Sequence, residues 1–212
     1  MKPSDSPETG VTTTALRHQA DWLALSAVEA FFAWTEHVFI HLAILQGRTT
    51  SAQRVAEMAE ADWGTKFTSV FDIKDTTTKG HFDRLVALRN DVRNYVAHGA
   101  FGKQGEAFYF HSAAGAVPVL LPHKAGTRKY RIGSGLRFDA SAAFGAMYTF
   151  EQFLWDAPRT PARIYIQDSC LPVVLTYARD GTYERGMQSV EDMNECVRIL
   201  TDIADRAADM DW

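Results

Sequence analysis

Arg93, Asn94 and His98 are the residues of this chain whose types and spacing suit a chemical task. They stand in the run Leu88-Arg89-Asn90-Asp91-Val92-Arg93-Asn94-Tyr95-Val96-Ala97-His98-Gly99. An arginine holds a phosphate through its planar fork of donors. A histidine titrates near neutrality and can move a proton. Those two parts suffice to cleave a phosphodiester without a metal. The same residue types also suit a solvated helix face closed by Gly99, so position has to decide. With Arg89 at zero and a step of about 100° per residue, Arg93 falls at about 40°, Asn94 at about 140° and His98 at about 180°. Leu85, Leu88, Val92, Tyr95 and Val96 gather between about 240° and 340°, an apolar arc turned inward. Asn94 and His98 share a face as an i,i+4 pair, but Arg93 does not point with His98. One copy supplies part of a site. Two copies with these faces opposed would bring both arginines and both histidines to one cleft, which predicts a symmetric dimer.

His98 also occupies the last turn of its helix, where the negative end of the dipole favours a protonated imidazole. That suits a general acid, or a cation set against a phosphorane-like transition state.

The run Arg93-Asn94-Tyr95-Val96-Ala97-His98, with four residues between Arg and His, resembles the signature of HEPN domains. Leu85, Leu88-Arg89-Asn90 and Ala97-His98-Gly99 add to the likeness. The specific part is Arg89 to Gly99, and Leu16 to Gly99 follows the same helical pattern. The resemblance implies a small helical bundle and metal-independent RNA cleavage at a dimer interface. His98 would serve the proton transfers, Arg93 the phosphate, and Asn94 the orientation of His98. It further implies RNA as substrate, no cofactor, and the role of a toxin or defence effector, a toxin having a protein antitoxin as partner. Some members of that family keep the bundle without cleaving RNA. The competing class is therefore a non-catalytic module that binds a nucleotide, an RNA or a protein.

Other residues bear on the same surface. Glu29 and Glu36 lie seven apart on a largely apolar helix and need partners if buried; Arg89 and Arg93 are the expected ones. His37 and His41 are spaced to grip a metal, but they lack the His-Glu-x-x-His pattern and an obvious third ligand, so no metal site is expected. Between Glu106 and Asp139 there is no acidic residue, while Lys124, Arg128, Lys129, Arg131 and Arg137 fall there. Lys124, Arg128, Lys129 and Arg131, with Arg89, are the candidate RNA contacts. Gly133-Ser134-Gly135 lacks the length and lysine of a phosphate loop, and Ser169-Cys170 has no histidine placed to activate it.

The rest of the chain must position these groups. Its 212 residues carry 22 basic and 26 acidic side chains, so bulk charge does not advertise a nucleic-acid binder. The hydrophobic share of 46% implies a substantial core. Cys170 and Cys196 show no metal-site spacing and read as two buried thiols in a reducing cytosol. Met1 to Thr14 reads as a flexible tail without a signal peptide's apolar region, and the chain as cytoplasmic. Leu16 to Gln46 reads as one long helix stopped by Gly47. It is apolar on more than one face, as a buried helix or one shared with a second subunit is, rather than a membrane span. Shorter helices follow over 51–61 and 63–71, broken near Gly64, then a polar connection over 72–79. The motif helix follows over about 78–97. Strands are expected at 107–110 and 117–121, a third at 129–132, and a helix capped by Asp139 to about Trp155. Further strands are expected at 163–167 and 173–177, then an Arg179-Asp180-Gly181 turn. A last helix, boxed by Ser189 and Asp192, closes the chain.

The fold class that follows is mainly α: a HEPN-like bundle with short β-hairpin insertions in the C-terminal half, with a two-layer α+β protein as rival. The boundaries are a tail at 1–14, a bundle at 15–157 with a hairpin insertion at about 105–135, and a strand pair and helix at 158–212 packed on the same domain.

Overall fold

The computed structural model describes the backbone of residues 13–98, 105–112, 115–122 and 139–209, and the side chains of 16, 19–92 and 139–209. It is a mainly α protein. In chain order it comprises α1 (Thr13–Leu45), α2 (Ala52–Glu60), α3 (Trp63–Val70), α4 (Thr76–His98), β1 (Gly105–Ser112), β2 (Gly115–Pro122), α5 (Ala140–Trp155), α6 (Thr160–Arg163), a π-helical turn (Ile164–Asp168), α7 (Leu175–Arg179), α8 (Thr182–Gly186) and α9 (Val190–Asp209). The backbones of β1 and β2 pair antiparallel with Tyr109 opposite Pro118. Two compact units emerge: Met1–Ala30 with Arg89–Ala143, and Phe31–Leu88 with Phe144–Trp212.

The second unit is built on aromatic side chains. Phe67 of α3 lies 5.6 Å from Phe39 of α1, 4.7 Å from Phe71, 5.1 Å from Phe82 of α4 and 5.8 Å from Phe150 of α5, ring centre to ring centre. Edge and tilted geometries dominate, as the ring quadrupole favours. Trp63 stacks beside Phe82 and meets Phe32 edge-on. Its indole N–H donates to Thr35 Oγ1 at 2.9 Å, and Thr35 Oγ1 donates to the Phe32 carbonyl at 2.9 Å. The one polar atom of Trp63 and the buried Thr35 hydroxyl are thus both satisfied.

α1 ends as its sequence dictates. Gly47 adopts φ +69°, its N–H donates to the Ile44 carbonyl at 3.0 Å, and that of Arg48 donates to Ala43 at 2.9 Å. This pair of bonds is the Schellman closure. A Cβ on Gly47 would meet nothing nearer than Glu184 at 3.7 Å, so a side chain there costs conformation and not space. Gly47→Ala is expected to destabilise the fold by about 1–2 kcal/mol, the penalty of a left-handed residue with a Cβ, measured by urea denaturation.

Other caps also lie where the sequence puts them. Asp139 Oδ1 accepts from the Ala142 N–H at the start of α5, and Ser189 Oγ accepts from the Asp192 N–H at the start of α9. The boundary between α2 and α3 falls at Ala61 and Asp62, not at Gly64. Asp62 caps α3 by accepting from the Thr65 N–H, and a Cβ on Gly64 would press to 3.2 Å on that carboxylate. α1 begins at Thr13, two residues inside the expected tail; residues 1–12 and the strand expected at 129–132 lie outside the described residues.

The strands expected at 163–167 and 173–177, and hence the strand pair assigned to 158–212, are not formed. Residues 163–167 make the end of α6 and most of the π-helical turn, and 175–177 start α7 after an irregular segment over 171–174. Pro161 sits in the first turn of α6, where its fixed φ favours helix. Tyr165 is buried, its hydroxyl donating to the Pro172 carbonyl at 2.9 Å and lying 3.0 Å from the Tyr183 hydroxyl. Burial pushes the Tyr165 phenol well above its ordinary value, with the Tyr183 hydroxyl adding to the rise. The Ser169 N–H donates back five residues to Ile164. A short apolar run is compatible with strand or helix, and these tertiary anchors select the helix.

Candidate active site

α4 carries the motif. Its first turn is fixed by Asp75, whose carboxylate accepts from the Thr78 N–H at 2.7 Å. Those bonds from Thr78 hold the Asp75 carboxyl below its usual range. Leu85, Leu88 and Val92 are buried, while Ala87, Arg89, Asn90 and Asp91 are exposed. Over residues 85–92 the apolar arc read from the sequence is therefore the inward one. The helix runs without a break to His98, its last residue. Arg93, Asn94 and His98 belong to its final two turns by backbone position. At about 100° per residue they fall within the arc spanned by exposed Arg89, Asn90 and Asp91, away from buried Val92. Their side chains lie outside the described residues, as do Lys124, Arg128, Lys129, Arg131 and Arg137.

The two glutamates differ in burial and surroundings. Glu29 is exposed and carries no burial cost. Glu36 accepts from Lys66 Nζ at 2.5 Å, with the lysine side chain 5% exposed and the glutamate 27%. The sequence held a signal for this pair. Trp63, Lys66, Phe67 and Val70 follow the i, i+3, i+4, i+7 spacing of a buried face, and all four are buried. A lysine in such a stripe demands a carboxylate. Lys66→Met would leave the half-buried Glu36 without this partner. The expected loss is about 1–3 kcal/mol of stability, the worth of a hydrogen bond to a charged group, read from the chemical-denaturation midpoint.

Arg159 was also passed over in the sequence. Its guanidinium lies 4.6 Å from the Phe153 ring centre and 5.3 Å from that of Phe71. It donates to the carbonyls of Leu154 and Phe153. Burial lowers its pKa, and Asp156 opposes that shift. It closes the C-terminal end of α5 as a cation set among rings and carbonyls.

Cys196 is buried as expected, whereas Cys170 is exposed, at φ +56° just after the π-helical turn. An open depression is lined by Glu151, Gln152, Trp155, Asp156, Arg163 and Gln167. Among the described residues no three His, Cys, Asp or Glu side chains gather as a metal cluster. The stretch Gln19–Leu45 of α1 is long and apolar enough to cross a membrane by length and composition, and 56% of its apolar window is buried in the protein.

No family model, no curated protein and no solved structure matches this chain.

Proposed function

We propose that this chain is a HEPN-like, metal-independent endoribonuclease that works as a homodimer in the cytoplasm, as a toxin or defence effector. The observation that carries the reading is the course of α4, unbroken to His98, which sets the Arg93, Asn94 and His98 positions in its last two turns and away from buried Val92. His98 serves as proton donor and acceptor, with its charged form favoured by the helix C-terminus. Arg93 holds the scissile phosphate and stabilises charge as it builds on the oxygens. Asn94, one turn before His98, orients the imidazole. Because Arg93 and His98 lie about 140° apart on the helix, each copy provides half of the cleft.

Exposed Leu16, Trp22 and Leu23 on α1 support the dimer, since large side chains left in water on an apolar helix suit a second apolar surface. Incubation of the purified chain with mixed RNA in EDTA tests the reading, with sedimentation at micromolar concentration beside it. Cleavage by a dimer is the expected result. A folded chain that cuts no RNA, or a strict monomer that cuts as well, overturns it, and the first outcome assigns the chain to the non-catalytic binding modules.

A further inference from the structure

α1 carries a second pair of side chains with ligand chemistry, in the other compact unit from the end of α4. His37 and His41 stand four residues apart within a continuous helix. That spacing puts side chains on successive turns of one face, with Cβ atoms about 5–6 Å apart. His37 is exposed and His41 half-buried. The backbone between and beyond them is held by the core, since Val38, Phe39, Leu42 and Ala43 are all buried. The two imidazoles thus project from a fixed helix wall.

We propose that His37 and His41 form a two-imidazole site for a borderline divalent cation, of which Zn²⁺ is the test case. Imidazole nitrogen suits Zn²⁺, Ni²⁺ and Cu²⁺, whereas Mg²⁺ and Ca²⁺ take oxygen ligands. Ligation needs the neutral imidazole, and protons compete for the same lone pair. The intervening residues Val38, Phe39 and Ile40 supply no carboxylate, which sets the pair apart from the helical His-Glu-x-x-His protease site. Two protein ligands leave at least two positions of a tetrahedral ion for water or an outside donor.

The site is independent of the ribonuclease reading, in which no metal takes part. Titration of the full chain with Zn²⁺ alone, followed by calorimetry, tests it against His37→Ala and His41→Ala, with Mg²⁺ as the comparison ion. Wild-type chain is expected to bind one more Zn²⁺ than either variant, or to bind it at least about tenfold more tightly, and to ignore Mg²⁺. His37 is exposed, so its replacement tests ligation without disturbing the core, and circular dichroism verifies that each variant is folded. Equal stoichiometry and affinity in wild type and a folded His37→Ala chain overturns the proposal.

Discussion

His98→Ala and Arg93→Ala should each slow RNA cleavage in EDTA by about 10²-fold or more. That is the usual worth of a positioned acid–base group or of a donor aimed at developing charge. The two losses should be far from additive, because the groups act on one transition state. The 2′-hydroxyl is the only nucleophile inside the substrate, so the new ends should carry a 2′,3′-cyclic phosphate or its hydrolysis product, and DNA should survive. Lys129→Ala should act differently. A residue that neutralises a backbone phosphate changes affinity and its salt dependence while leaving the chemical step largely intact. Abolition by EDTA, cleavage of DNA, or full activity in His98→Ala would each sink the mechanism. Mixing the His98→Ala and Arg93→Ala chains gives a sharper test. If each copy supplies half a cleft, some mixed dimers regain one intact Arg–His combination and activity returns in part. A site complete within one chain would show no such rescue.

The local punctuation of this fold was legible in the sequence, because it depends on neighbours along the chain. Gly47 stops α1, and Asp139 and Ser189 start α5 and α9. Gly181, at φ +77°, turns the chain between α7 and α8, with the Asp180 carboxylate accepting from the Thr182 N–H. The inward face of α4 was legible for the same reason, since a 3.6-residue period survives any tertiary arrangement. What depends on distant partners was not. Ile164, Tyr165 and Ile166 carry β-forming side chains, yet they turn as helix around a Tyr165 hydroxyl bonded seven and eighteen residues away. One partner of Glu36 lies thirty residues on, at Lys66. The sequence does place that lysine in an apolar stripe, but a stripe on one helix names no partner on another. Of the candidate site, the helix and the register of Arg93, Asn94 and His98 could be read in advance, since both are properties of one element. The proposed cleft would be a property of two faces meeting, which no single helical period contains.

Phe67→Ala should be the most damaging single truncation in the second unit, at about 3–5 kcal/mol. Phe67 is fully buried and its ring meets those of Phe39, Trp63, Phe71, Phe82 and Phe150. These come from α1, α3, the residue that ends α3, α4 and α5, so one side chain joins four helices. Truncation loses the transfer energy of a benzyl group and opens a cavity whose walls are themselves rigid rings. Rings relax poorly into a void, which places the cost in the upper part of the range for such substitutions. Phe67→Leu should recover much of the loss by refilling volume, at the expense of the edge contacts. Leu16→Ala, on the exposed part of α1, should leave stability of the isolated chain within about 0.5 kcal/mol, as surface changes usually do. Urea denaturation of the three variants checks the ordering. A Phe67→Ala chain as stable as Leu16→Ala would mean that the aromatic cluster does not organise this unit.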